Sequence, residues 1–232
     1  MSKRALTASG VLLCLLAGWR GQAQDAKTQY PSMAPLEQYL MERNAEIALA
    51  RSAAPESISK DAGVDILTRT GYQKAVDGKN GFVCVVERSW MAPSDSPDFW
   101  NPKIRGPVCY NPPAARSMLP VDYKRAQLAI AGKSKAQMMD ESKAAFANKE
   151  LPALEPDAMS YMLSKDAYLT DAGDHNLAHL MFYTPPIEGA AWGADVPNSP
   201  VMLGFKATAA QPINVFIIPV GKWSDGTPAP PM

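Results

Sequence analysis

The first two dozen residues constrain the rest of the chain more than any other feature. Lys3 and Arg4 give a positive start, and residues 5–18 are apolar or small without a charge. Gly21-Gln22-Ala23 then sets small residues at the two positions that a signal peptidase reads. This three-part pattern predicts an export signal over residues 1–23, cleaved after Ala23. At ~1.5 Å of rise per residue the apolar run is short for ~30 Å of hydrocarbon, so it is read as a removed signal and not as an anchor. Cys14 follows Leu13 and not a small residue, which argues against lipoprotein processing.

Export sets the chemistry of the mature chain. The whole chain balances 23 basic against 23 acidic residues. Losing Lys3, Arg4 and Arg20 with no acid leaves a slight acid excess, which gives no electrostatic reason to bind nucleic acid or an anionic membrane. No later stretch approaches transmembrane length, so no membrane span is expected after cleavage. The expected location is periplasmic or secreted. Two cysteines remain, Cys84 and Cys109, and in an oxidising compartment an even pair is read as a disulfide. Its loop would be worth roughly 3.5 kcal/mol on the chain-entropy account.

Periodicity and punctuation divide the remainder. Residues 24–34 are polar and read as a flexible leader, residues 35–226 as a single domain, and residues 227–232 as a disordered tail. A helix is expected over 35–51, with Leu36, Leu40 and Ile47 on one face. Alternation at Val64, Ile66 and Thr68 suggests a strand. Gly78-Lys79-Asn80-Gly81 is a turn, after which residues 82–86 are apolar without alternation, as in a strand buried on both faces. Further along that strand Glu87 and Ser89 point one way and Arg88 and Trp90 the other. Helices are expected over 121–131, from Lys135 behind a Ser134/Gln137 capping box, and near Pro156, where Met159, Met162 and Leu163 make a stripe. Residues 179–184, 201–208 and 213–220 read as strands, with Pro219 restricting the last to an edge at its far end. Strands, then helices, then strands predict an α+β fold with a largely antiparallel sheet and three to four helices packed on it.

Chemistry-bearing patterns are sparse. There is no GxSxG elbow, P-loop or GxGxxG. The two histidines, His175 and His179, have HxxxH spacing; on a helical turn they share a face and could hold a metal with Asp171 or Asp174. The residue after the first is Asn176, which cannot act as the base of the familiar metalloprotease pattern. If extended, the two imidazoles stand ~13 Å apart, too far for one ion. Methionines 138, 139, 159, 162 and 181 are soft donors in principle, but at helical spacing they read as core filler. Glu87 and Arg88 read as a solvated strand end. The long loop 91–107 is the preferred binding surface, with Trp90, Phe99 and Trp100 as rigid contact groups, Arg105 as a cation, and Trp192 as a neighbour.

The expected function is therefore that of an exported, non-catalytic binding or envelope-associated protein, whose partner is a small molecule or an envelope component. The alternative is a metal-dependent, hydrolase-like enzyme built on His175, His179 and Asp174. No cofactor is expected beyond a divalent metal in that second case.

Overall fold

The computed structural model describes residues 29–171 and 177–230. The expected export signal, residues 24–28 of the leader, Asp174 and His175 lie outside the described residues. The strands are β1 (Gly63–Thr68), β2 (Gly71–Val76), β3 (Val83–Glu87), β4 (Gly106–Tyr110), β5 (Met159–Met162), β6 (His179–Thr184), β7 (Met202–Phe205) and β8 (Asn214–Pro219). They form one sheet in the order β2-β1-β3-β4-β5-β6-β8-β7. β1 and β3 run parallel and the other pairs antiparallel. The helices are α1 (Arg43–Arg51), α2 (Glu56–Ser59), α3 (Pro112–Ser117), α4 (Leu119–Ile130) and α5 (Lys135–Ala147). This is the α+β class, with helices packed on a mostly antiparallel sheet. Among the described residues no helix is long and apolar enough to cross a membrane.

Alternation along β3 and β4 feeds two separate cores. Val85, Val108 and Tyr110 face one side and pack with Ala114 of α3, Leu119 of α4 and Met118 between them. Cys84, Val86 and Cys109 face the other and pack with Ala50 of α1 and with Ala53 and Ala54 beyond it. The non-alternating apolar run 82–86 thus has the physical cause expected of it: both faces are covered. Cys84 and Cys109 are direct cross-strand partners, their Cα atoms 4.0 Å apart, and are joined by a disulfide. The capping box is present: Ser134 Oγ accepts from the Gln137 backbone amide, and Gln137 Oε1 accepts from the Ser134 backbone amide.

Several expectations are corrected. The helix over 35–51 is interrupted; a short 3-10 turn at Leu36–Gln38 precedes α1, which starts only where the Glu42 carboxylate accepts from the Ala45 amide. Tyr39 is held elsewhere, its hydroxyl donating to the Trp100 carbonyl at 2.8 Å. The helix expected near Pro156 is instead strand β5. There buried Ser160 and Met162 alternate with half-buried Met159 and Tyr161, and sheet pairing overrides the three-residue methionine spacing. β8 lies inside the sheet, but β7 pairs with it only as far as Ile217, so Pro219 meets no ladder on that side. The leader is not free from Tyr30 onward: Tyr30, Met33 and Ala34 pack on the aromatic cluster around Trp100. Nor is the tail free through Ala229, whose amide donates to the Gly221 carbonyl at 3.0 Å.

The strand end at Glu87 and Arg88 is not solvated. Arg88 is 1 % exposed; its Nη2 donates to Glu46 Oε1 at 2.8 Å and its Nε to the Tyr39 carbonyl at 2.7 Å. Its Nη1 donates to the Val86 carbonyl. Glu46 Oε1 also accepts from the Leu67 amide at 3.0 Å. One buried ion pair therefore joins α1, β1, β3 and the Tyr39 turn. Removing one partner strands a charge in low dielectric, whereas removing both does not. Arg88→Met is expected to lower stability by about 3–5 kcal/mol in urea unfolding, and adding Glu46→Leu is expected to restore a substantial part.

Candidate functional site

The connection from β3 to β4 folds back over the sheet and leaves a cavity of about 240 Å³ beneath it. Met91, Ala92 and Ile104 form its loop side, while Met162, Met181 and Ile217 rise from the sheet. The register explains why these meet: Met162 is the cross-strand partner of His179, and Met181 lies opposite Ile217. The connection is pinned at its end by paired backbone bonds between Arg105 and Tyr168. Inside it, the Asp98 carboxylate accepts from Asn101 and Thr170 at 2.9 and 3.0 Å.

The polar groups on this cavity include Glu87, Ser89, Asp98 and His179. Ser89 is 1 % exposed and its Oγ has no hydrogen-bond partner. A buried hydroxyl in that state has lost its water without replacement, a cost of about 1–3 kcal/mol. His179 is buried at the start of β6, with Nδ1 2.5 Å from the Leu177 carbonyl. Nδ1 is therefore the protonated nitrogen, and burial holds the ring below its usual pKa, as a neutral imidazole.

Behind Glu87 lies a buried carboxyl pair. The Tyr110 hydroxyl oxygen is 2.5 Å from Glu87 Oε1 and 2.6 Å from Asp122 Oδ2. A phenol has one hydrogen, so it donates to one carboxylate and accepts from the other carboxyl, which must carry a proton. Burial raises both carboxyls; for Asp122 the rise is large, with the Glu87 charge as a further cause. Asp122 is 1 % exposed, so it keeps the proton, while half-buried Glu87 borders the cavity as the carboxylate. Arg125, buried on the same helix as Asp122, donates through Nη1 to the Trp90 and Met91 carbonyls and through Nη2 to Gln211 Oε1, while its Nε has no partner. A more open hollow of about 410 Å³ adjoins, sharing Met91 and Phe205 with the first. It does not reach Glu87, which borders the 240 Å³ cavity, so that cavity is the candidate site.

The sequence-level candidates fall elsewhere. Trp90, Phe99 and Trp100 are 0, 1 and 4 % exposed and sit in one core cluster with Tyr39, Leu67 and Met138, so the rings fill the interior and do not form a contact surface. Arg105 is spent on the carbonyls of Pro102, Ile104 and Gln38, and burial lowers its pKa to about 10. Trp192 stacks on Phe216, with ring centroids 4.3 Å apart, and does not join the other rings. Asp171 accepts from Lys103 and Tyr30, tying the leader to the fold. Among the described residues no group of three or more His, Cys, Asp or Glu side chains is placed to hold a metal, and His175 and Asp174 lie outside them. The loop 91–107 does border the cavity, through Met91, Ala92, Ser96, Asp98 and Ile104.

Tyr110, Asp122 and Arg125 do not stand out in the sequence. One signal is present: Asp122 and Arg125 share the inward face of α4 with Ala126 and Ala129, an unusual place for charges. The strand alternation expected to carry through Ser89 stops at Glu87, where β3 ends and a 3-10 turn at Ser89–Met91 begins.

The raised carboxyls set a pH dependence. A carboxyl whose folded pKa exceeds its unfolded value of ~4 favours folding fully below ~pH 4, and loses that contribution as pH rises through the folded value. Asp122→Asn removes this dependence. Its stability relative to the parent is expected to improve steadily from about pH 4 upward in urea titrations, and a constant difference across that window would contradict the assignment.

A scan against protein-family models finds no match, and comparison with the curated proteins and with solved structures yields no significant match.

Proposed function

We propose that the protein binds a small, mainly apolar molecule with a polar head in the cavity between the β3–β4 connection and the sheet, and that it does so outside the cytoplasm. The observation that carries the reading is a largely apolar cavity bordered by Glu87, whose carboxylate accepts from the Tyr110 hydroxyl. Sites of this kind combine apolar walls with a few polar groups that orient the ligand. At about 240 Å³ the space falls below the ~300–1,000 Å³ of drug-sized sites, which points to a molecule the size of a fused aromatic pair. The Cys84–Cys109 disulfide supports an oxidising location.

Calorimetric titration with 2-naphthol tests the reading. Binding is expected at one site, with Kd on the order of 10 µM. Leu169→Trp, which fills the cavity from its half-buried rim, is expected to weaken that binding at least tenfold with little loss of stability. Equal binding to both forms would remove this cavity as the site.

A further inference from the structure

The residues around Glu87 resemble the parts of a base more than those of a passive wall. Glu87 borders both the 240 Å³ cavity and a small space of about 50 Å³ that reaches Tyr110 and Asp122. Its Oε1 receives the Tyr110 hydrogen, and Tyr110 in turn receives the Asp122 proton, so the carboxylate is held in one orientation by a chain anchored on β4 and α4. Two residues further along, Ser89 opens a 3-10 turn over Ser89–Met91, with its hydroxyl buried and unpartnered. A carboxylate able to take a proton thus borders one largely apolar cavity.

We propose that the cavity is a proton-transfer site, in which the Glu87 carboxylate removes a proton from a carbon acid: a small, mainly apolar molecule whose C–H bond is activated by a neighbouring carbonyl or electron-poor ring. In the carbonyl case the C–H bond breaks, its proton goes to Glu87, and its electron pair moves onto the carbonyl oxygen as an enolate. Returning the proton to a different carbon completes an isomerisation with no co-reactant. Tyr110 and Asp122 are positioning residues. The other titratable or charged groups around Glu87 are Tyr72 from β2, Arg88 just beyond β3, Arg125 from α4, His179 and Tyr183 from β6, and Asp98 from the connection. Desolvation strengthens Glu87 as a base, in keeping with this role.

The inference rests on the cavity binding a small apolar molecule, and one experiment on the full chain separates the two. The probe is 5-nitrobenzisoxazole, whose ring C–H proton is taken by a base while the N–O bond breaks and the electrons form a nitrile and a coloured phenolate. Saturable turnover is expected, on the order of 10²-fold or more above acetate at equal carboxylate concentration. Glu87→Gln is expected to abolish it with 2-naphthol binding retained. Tyr110→Phe removes the donor that favours the carboxylate, so the acid limb of the pH–rate profile is expected to move to higher pH; a packing role alone would change the rate without moving the midpoint. Displacement of 2-naphthol without turnover, or turnover unchanged in Glu87→Gln, overturns proton transfer and leaves binding intact. Failure of both aromatics to bind overturns the binding reading and this inference together.

Discussion

The Glu46–Arg88 ion pair is the contact around which the first half of the molecule is arranged. Both side chains are fully buried, and their hydrogen bonds reach the Leu67 amide and the Tyr39 and Val86 carbonyls. A pair of this kind contributes little net stability over an apolar substitute, but it tolerates few alternative arrangements, because each would leave a charge unmatched. It sets the approach of α1 to the sheet and turns the chain after β3. That turn lifts the β3–β4 connection off the sheet, and the candidate cavity lies below it.

The connection separates packing from chemistry by side-chain direction. Its large rings go inward to a core shared with α4 and α5, and its smaller residues border the cavity. Long loops rich in aromatic residues are natural candidates for contact surfaces, and this one does border the site. The contribution comes from Ser89, Met91 and Ile104, however, while Trp90, Phe99 and Trp100 anchor the loop. Burial of those rings gives a segment with little regular structure a fixed course, which an ordered cavity requires.

How far the sequence can be read depends on whether the relevant interaction is local. The capping box at Ser134 and Gln137 and the strands at 63–68 and 179–184 rest on nearby residues and a single period. β5 departs from expectation because Met159 and Met162 fit a helical stripe, and only pairing with β4 and β6 makes the segment extended. The solvated strand end expected at Glu87 and Arg88 fails because nothing close in sequence shows that Glu46 and Asp122 lie beside them.

By itself the sequence determined the α+β class, the element order over most of the chain and the choice of Cys84 and Cys109 as partners, since these depend on periodicity, turn chemistry and an even cysteine count. Tertiary structure alone decided which charges are buried, which rings form core, and that Glu87, Tyr110 and Asp122 join in one hydrogen-bonded chain. The physical reason is that a protonation state or an unpartnered hydroxyl is a property of the surrounding space, and the residues that create that space here are separated by strands and helices along the chain.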